Sequence, residues 1–234
     1  HTVSHIALVG GGSIPRPGEV SLAHNGILYL DELPEFKRVA LEALRQPLED
    51  GEVLVSRALM TATYPAKFSL IASMNPCPCG YSGHPTRECR CPVQTVERYQ
   101  DRISGPLLDR FDMHMKLRPT PISQMLEGPD GEPSATIRSR VSAAWDRQRY
   151  RQGMGSKECR NGHLSPRQLR QHCRLDKASQ AVLTRAIERY GLSGRAHHRI
   201  LMVARTIADL DNAPNLDVHH VSEALLYRSP VSSP

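Results

Sequence analysis

Residues 26–32 read GILYLDE, a short apolar run that ends in two carboxylates. A run of this length, bounded by a glycine and by acidic residues, is typical of a buried strand in a parallel sheet. Residues 67–74 have the same apolar character, and Asn75 follows them directly. Chemistry in open α/β sheets gathers at the carboxyl ends of the strands, and that is where Asp31, Glu32 and Asn75 fall.

The rest of the first 120 residues also predicts alternating strands and helices. Pro34 opens a helical pattern that continues to about Leu44, and residues 53–57 predict another strand. Residues 111–117 alternate apolar and polar side chains, which predicts a half-exposed strand.

From Ser134 onward, apolar side chains repeat at helical spacing. We therefore predict an α/β part at 1–120, a proline- and glycine-rich linker at 121–133 and a helical part at 134–234. The residues that mark its helices are the N-caps Ser165, Ser193 and Asp217, the C-cap Gly191, and an apolar face of Ile137, Val141, Ala144 and Trp145.

The composition argues against a disordered chain and against a membrane-spanning helix. The 234 residues are 39% hydrophobic, so a sizeable core is expected, and no apolar run approaches the length that a membrane helix needs. The N-terminus shows no signal peptide, so we expect a cytoplasmic protein without a membrane partner. The chain does not begin with methionine, which suggests a fragment of a longer protein.

The net charge of +6 is unevenly distributed. Between Ser134 and Arg174, ten basic residues face only two acidic ones, Asp146 and Glu158. A local excess of this kind attracts phosphate backbones by counterion release, which favours a DNA partner. A solvated helix face explains the same charges equally well.

Three polar sites suit nucleotide hydrolysis. At the end of a strand, Asp31 can hold the water shell of Mg²⁺ and Glu32 can polarise an attacking water, although both residue types also favour helix N-termini. Asn75 could hydrogen-bond a γ-phosphate, or it could simply form a turn. Arg110 could stabilise charge on a phosphoryl group, or it could pair with a neighbouring aspartate.

Four of the six cysteines, Cys77, Cys79, Cys89 and Cys91, lie within fifteen residues. Four thiolates on one tight loop suit tetrahedral Zn²⁺, although the Cys-x-Cys spacing is tighter than the usual one. Free thiols or a disulfide formed on purification are the alternatives.

The order of these motifs resembles that of the AAA+ ATPases, in which Walker B, sensor 1, an arginine finger and a helical lid follow one another. Several stretches narrow the resemblance to the magnesium-chelatase-like bacterial proteins of the ComM/YifB family. They are residues 7–12, 15–19, 30–36, 44–49, 74–80 and 104–110.

This resemblance implies a partial RecA-like AAA+ core with a parallel sheet and hairpin insertions at about 6–20 and 52–67, followed by an all-α lid. It also implies roles for individual residues. Asp31 and Glu32 match Walker B, Asn75 matches sensor 1, Arg110 matches the arginine finger, and Arg195, with Arg199 in reserve, matches sensor 2.

The same resemblance implies ATP and Mg²⁺ as cofactors, a hexameric ring and a DNA motor for branch migration during natural transformation. The sequence departs from the family in one respect, because it contains no Gly-x-x-x-x-Gly-Lys-Ser/Thr motif. Family members carry that phosphate cradle upstream, so we expect the chain alone to hydrolyse no ATP.

Two other functions remain open at this stage. A chelatase-type motor would remodel a partner protein rather than DNA, and the shared motifs cannot separate the two. A zinc-stabilised nucleic-acid-binding module would need neither Glu32 nor Arg110.

Overall fold

The computed structural model describes residues 4–57, 60–120, 131–153 and 160–228. The chain divides into two compact units, His1–Phe111 and Asp112–Pro234. Among the described residues, no helix combines the length and the apolarity that crossing a membrane requires.

The first unit contains the predicted parallel strands, β3 (Ile27–Leu30) and β6 (Ser69–Ala72). They pair in parallel from Ile27 opposite Ser69 to Leu30 opposite Ala72. The parallel pairing of the two strands confirms the prediction, but the expectation that the strands are buried was wrong for one face of the sheet. Leu30 is buried, whereas Ile27 and Tyr29 are 64% and 57% exposed, because the described residues cover only one face of this two-stranded sheet.

The helical pattern after β3 is broken into three pieces rather than running from Pro34 to Leu44. A 3₁₀ turn spans Leu33–Glu35 and is followed by α3 (Arg38–Ala43) and α4 (Arg45–Asp50). Pro34 fits the start of the turn, and the extended backbone of Phe36 ends it. At the end of α4, Gly51 adopts a left-handed conformation and donates its N–H to the carbonyl of Pro47.

Both hairpin positions contain antiparallel pairs. The second is a regular hairpin of β4 (Glu52–Arg57) and β5 (Met60–Pro65). The first is shorter, because β1 (Gly10–Gly11) and β2 (Arg16–Pro17) pair over only two residues, between α1 (His5–Val9) and α2 (Glu19–Leu22). A side chain at Gly18 would come within 2.6 Å of the Leu8 carbonyl oxygen, so only glycine permits this close approach.

Two short helices complete the first unit: α5 (Val93–Gln100) and α6 (Gly105–Leu108). The core beneath β3 and β6 joins the helices, the β4–β5 hairpin and both strands. Its buried members are Leu8, Val20, Leu30, Leu33, Phe36, Ala40, Leu41, Leu44, Val53, Val55, Ala66, Ile103 and Leu107.

The strand predicted at residues 111–117 is wrong. These residues form no regular element, and Met115 and Leu117 are exposed. A half-exposed strand needs a neighbour to complete its hydrogen bonds, but the N–H of His114 instead donates to the carbonyl of Tyr227 at 2.7 Å.

In the second unit, the regular elements of the described residues are helical, as the sequence pattern predicts. They are α7 (Ser134–Gln152), a 3₁₀ turn (Asn161–His163), α8 (Pro166–His172), α9 (Lys177–Tyr190), α10 (Gly194–Leu210) and α11 (Val218–Leu226). The predicted caps are confirmed at Ser165, Gly191, Ser193 and Asp217. Most of the predicted linker, residues 121–130, lies outside the described residues.

The core of the second unit centres on α10, which contributes Ile200, Leu201, Ala204 and Ala208. The predicted apolar face of α7 is only partly buried. Ala144 is 3% exposed, but Ile137, Val141 and Trp145 are each about 40% exposed. The helix is therefore confirmed, whereas its expected burial is not.

Candidate functional site: the carboxyl edge of two parallel strands and a cysteine loop

The carboxyl ends of β3 and β6 bring Asp31 next to a residue that the sequence analysis did not single out, Ser73. The Ser73 N–H donates to the carbonyl of Leu30 at 3.0 Å, and the Ser73 hydroxyl donates to the Asp31 carboxylate. The Tyr29 hydroxyl lies 3.2 Å from Ser73 Oγ and 3.4 Å from Asp31 Oδ1. One side chain from β3 and one from the end of β6 thus contact the Asp31 carboxylate.

These contacts keep Asp31 ionised. The hydrogen bond from Ser73 lowers the pKa of the Asp31 carboxyl, and the N–H of Glu32 at 3.0 Å lowers it further. Asp31 is exposed, so the charged carboxylate faces solvent. An exposed, ionised carboxylate at a sheet edge fits a hydrated divalent cation such as Mg²⁺, which prefers oxygen ligands and retains several waters.

Glu32 occupies an unusual backbone conformation, with φ +51° and ψ +50°. A residue other than glycine in this left-handed region costs about 1 kcal/mol or more, and such strain is concentrated at functional sites. The conformation starts the 3₁₀ turn immediately after the strand, and the N–H of Leu33 donates to the carbonyl of Ser73 at 2.9 Å. The backbone on both sides of Glu32 is therefore fixed to β6.

Asn75 lies two residues beyond Ser73 and is exposed at the same end of β6. The chain immediately after it contacts α5, since Gln100 Nε2 donates to the carbonyl of Pro76 at 3.1 Å. Asp31, Glu32 and Asn75 thus follow two hydrogen-bonded parallel strands.

Arg110 is anchored within the first unit. Its guanidinium forms an ion pair with Glu49, and it donates to the carbonyls of Arg45 at 3.2 Å and Pro106 at 2.7 Å. Its side chain is only 8% exposed. The sequence offered a neighbouring aspartate as the partner of a structural Arg110, and the ion-pair partner that the structure shows is Glu49, 61 residues away along the chain.

The two candidate sensor arginines lie on the first turns of α10 in the second unit. Arg195 is exposed, and Arg199 forms an ion pair with Asp112. Both side chains project from a helix whose N-terminus is capped by the Ser193 hydroxyl.

The four clustered cysteines converge in space. Their sulfur atoms all lie within 4.8 Å of one another, with Cys77 Sγ at 3.4 Å from Cys79 Sγ and both at 3.6 Å from Cys89 Sγ. These separations are far longer than a disulfide bond of about 2.05 Å. They approach the roughly 3.8 Å between ligands of a tetrahedral ZnS₄ site with bonds of about 2.3 Å.

The surroundings of the cluster favour thiolate at one position. A hydrogen bond from the backbone of Tyr81 lowers the pKa of the Cys79 thiol to about 6. The N–H of Ser82 also donates to Cys77 Sγ at 3.3 Å, and the Cys77 side chain is completely buried. Four sulfur donors with N–H groups aimed at them fit a structural zinc ion.

The structure partly neutralises the basic stretch of residues 134–174. Arg140 pairs with Glu132 at 2.8 Å, Arg149 with Asp146 at 3.7 Å, and Arg151 with the buried Asp209. Lys157 lies outside the described residues. Glu132 and Asp209 lie outside the stretch, so their ion pairs offset part of its positive excess, whereas Asp146 is one of the two acidic residues already counted within it.

The comparisons with known proteins show which family the chain belongs to. Residues 1–125 match the family model described as magnesium chelatase, subunit ChlI, and residues 131–228 match that of its C-terminal region. The chain is similar to the competence protein ComM of Haemophilus influenzae, with 45% identity over 99% of the chain and 44% of that protein. It is also similar to the uncharacterized protein YifB of Escherichia coli, with 46% identity over 98% of the chain and 44% of that protein.

A more distant relative is the magnesium-chelatase 38 kDa subunit of Acidiphilium rubrum, 28% identical over 52% of the chain and 29% of that protein. The chain spans less than half the length of ComM and YifB. Both family models and the ComM and YifB relatives confirm the resemblance that the motifs indicate, and the chain belongs to the magnesium chelatase ChlI family.

Proposed function

We propose that this chain is the later part of an ATP-dependent AAA+ motor that acts on DNA, a helicase for branch migration in natural transformation. The observation that carries the proposal is the pair of parallel strands whose carboxyl ends are followed by Asp31, Glu32 and Asn75. Similarity to a protein named as a competence protein supports DNA as the substrate.

In this proposal, the first unit is part of a RecA-like core and the second is its helical lid. Asp31 holds the water shell of Mg²⁺ on ATP, Glu32 polarises the attacking water and Asn75 contacts the γ-phosphate or that water. Arg110 acts as the arginine finger toward a neighbouring subunit of a hexameric ring. Its contacts with Glu49, Arg45 and Pro106 would have to open or be shared for that role.

Arg195, with Arg199 in reserve, is the proposed sensor 2 toward the nucleotide. The four cysteines are proposed to hold one structural Zn²⁺ that fixes the loop after Asn75. Because Asn75 and Cys77 are separated only by Pro76, the metal would stiffen the chain immediately beyond the proposed sensor.

A second candidate is a motor that remodels a protein, and the similarity to a magnesium-chelatase subunit favours it. The two candidates share the hydrolytic site and differ in what stimulates it. The test is ATP turnover by a full-length family protein that contains this chain, with and without forked DNA, at two salt concentrations.

A DNA motor predicts strong stimulation by forked DNA that declines at the higher salt concentration, because phosphate contacts are lost to counterion competition. Turnover that is indifferent to DNA at both salt concentrations contradicts the DNA proposal and favours the protein-remodelling motor. Adding a heparin-like polyanion as a control separates a DNA requirement from a general response to negative charge.

A further inference from the structure

A basic pocket in the second unit is not used by the proposed hydrolytic site. It has a volume of about 230 Å³ and lies between the end of α7, the end of α8 and the segment after α10. The side chains that define its charge are those of Arg151, His172, Arg174 and Arg205.

The buried part of this pocket carries more positive than negative charge. Arg205 is 1% exposed and Asp209 is fully buried. Arg205 Nη2 and Arg151 Nη1 each lie 3.0 Å from an oxygen of the Asp209 carboxylate. Within the described part of the chain, two guanidinium groups therefore share one carboxylate. Buried charges are normally matched by opposite charges, so this arrangement leaves a positive excess in the pocket.

Arg205 also has an unused donor. Its Nη atoms donate to the carbonyls of Ala213 at 2.6 Å and Pro214 at 3.0 Å, but its buried Nε has no acceptor among the described residues. A buried N–H without a partner costs about 1–3 kcal/mol, so the internal contacts of Arg205 do not satisfy all of its donors.

The neighbouring groups agree with an anionic ligand. Burial lowers the pKa of His172, and the charges of Arg151 and Arg205 lower it further, which reflects the positive charge around this pocket. The nearest acidic residue along the chain, Asp176, is engaged by the Ser179 N–H at the start of α9.

The pocket opens beside a row of exposed cations. Arg174 is exposed at the pocket, and Arg167 and Arg170 are exposed on α8, which also supplies the lining residues Gln171 and His172. Several exposed arginines on one helix, next to a pocket lined by further guanidinium groups, suit a run of phosphates better than an isolated carboxylate ligand.

We propose that this pocket seats one phosphate group of a nucleic-acid backbone, held by Arg174 at its mouth and by Arg205 and Arg151 at its base. The inference rests on the proposed DNA function and adds to it a contact in the second unit. A free phosphate offers the same oxyanion chemistry, so the test has an arm for each source.

The first arm measures binding of the full chain to a fluorescein-labelled single-stranded oligonucleotide by anisotropy, as a function of salt concentration. Arg174→Gln removes the cation at the mouth of the pocket while leaving the buried arginines in place. Arg185→Gln is the matched control, since Arg185 is exposed on α9 and the substitution changes the charge equally.

We expect Arg174→Gln to weaken binding about threefold to fivefold and to lower the salt slope by about 0.7, the value for one single-strand phosphate contact. The control should change the slope by much less. Equal changes in the two variants would overturn the pocket proposal while leaving the DNA function standing.

The second arm compares the thermal unfolding temperature in inorganic phosphate and in chloride at equal ionic strength. Phosphate should stabilise the wild-type chain and the Arg185→Gln variant more than the Arg174→Gln variant. If phosphate stabilises in this selective way but the chain binds no oligonucleotide, the pocket is supported as an oxyanion site and its assignment to a nucleic-acid backbone is overturned, whereas the DNA function is decided separately by turnover of the full-length protein.

Discussion

At the scale of single residues, the most informative contact is the hydrogen bond from Ser73 to Asp31. It joins the ends of two parallel strands and stabilises the charged form of the carboxyl. The pKa of Asp31 is lower in the folded chain than in the unfolded chain. Ionised Asp31 therefore stabilises the fold above its unfolded pKa, and this contribution is lost as the pH falls through the folded value.

Replacing Ser73 with alanine should raise the pKa of Asp31 toward its ordinary value, because the largest cause of its lowering is removed. The pKa is measured by following the Asp31 carboxyl carbon by NMR through an acid titration. Ser69→Ala on the same strand is the control, since Ser69 is exposed. An unchanged titration in the Ser73 variant would contradict this account of the site.

Arg110 is a second residue whose contacts make a prediction. Arg110→Met should lower the free energy of unfolding of the chain by about 1–3 kcal/mol, because a nearly buried guanidinium and its carbonyl partners lose their hydrogen bonds. Glu49→Gln should cost less than about 1 kcal/mol, since Glu49 is 44% exposed and both carbonyl contacts of Arg110 remain. Urea unfolding of the two variants measures the difference, and equal losses would show that the ion pair alone anchors Arg110.

At the scale of elements, the cysteine loop is the segment for which we propose a structural metal ion. Four sulfur atoms within 4.8 Å of one another should bind one zinc ion per chain. Removing it with a chelator should lower the thermal unfolding temperature, because four close thiols then lose the ion that holds them together.

The zinc prediction is tested by metal analysis of the wild-type chain and two variants. Cys89→Ser should lose the metal, whereas Cys173→Ser should retain it, since Cys173 is buried in the second unit and its Sγ lies 3.7 Å from the carbonyl of Leu201. Full zinc content in the Cys89 variant, or none in the wild type, would refute the site.

The sequence predicted elements best where local chemistry determines them. The caps at Ser165 and Asp217 were predictable because a side chain three residues from its partner satisfies the first turn of a helix. The alternation at residues 111–117 led to a wrong strand prediction. A strand also needs a neighbour to complete its hydrogen bonds, and no local pattern encodes that neighbour. The role of Ser73 could not be predicted, since its contact with Asp31 spans 42 residues and depends on the register of two strands.

At the scale of the whole molecule, charge must be judged from contacts rather than from composition. The stretch of residues 134–174 has ten basic residues against two acidic ones, yet Arg140, Arg149 and Arg151 are engaged in ion pairs. Arg174 lines the basic pocket, and Arg167 and Arg170 are exposed on α8, which supplies two of the other lining residues. Any nucleic-acid contact of the second unit is therefore expected on that side rather than uniformly along the basic stretch.

At this scale, the central claim of the proposed function is that the edge with Asp31 and Glu32, at the ends of two parallel strands, is the hydrolytic site. The most direct test is ATP turnover by a full-length family protein that contains this chain and carries Glu32→Gln. Glu97→Gln, at an exposed position on α5, is the matched control. We expect turnover to fall at least about a hundredfold in the Glu32 variant, as when a group that acts on the attacking water is lost, and to stay near wild type in the control. Undiminished turnover in the Glu32 variant would contradict the assignment of this edge as the hydrolytic site.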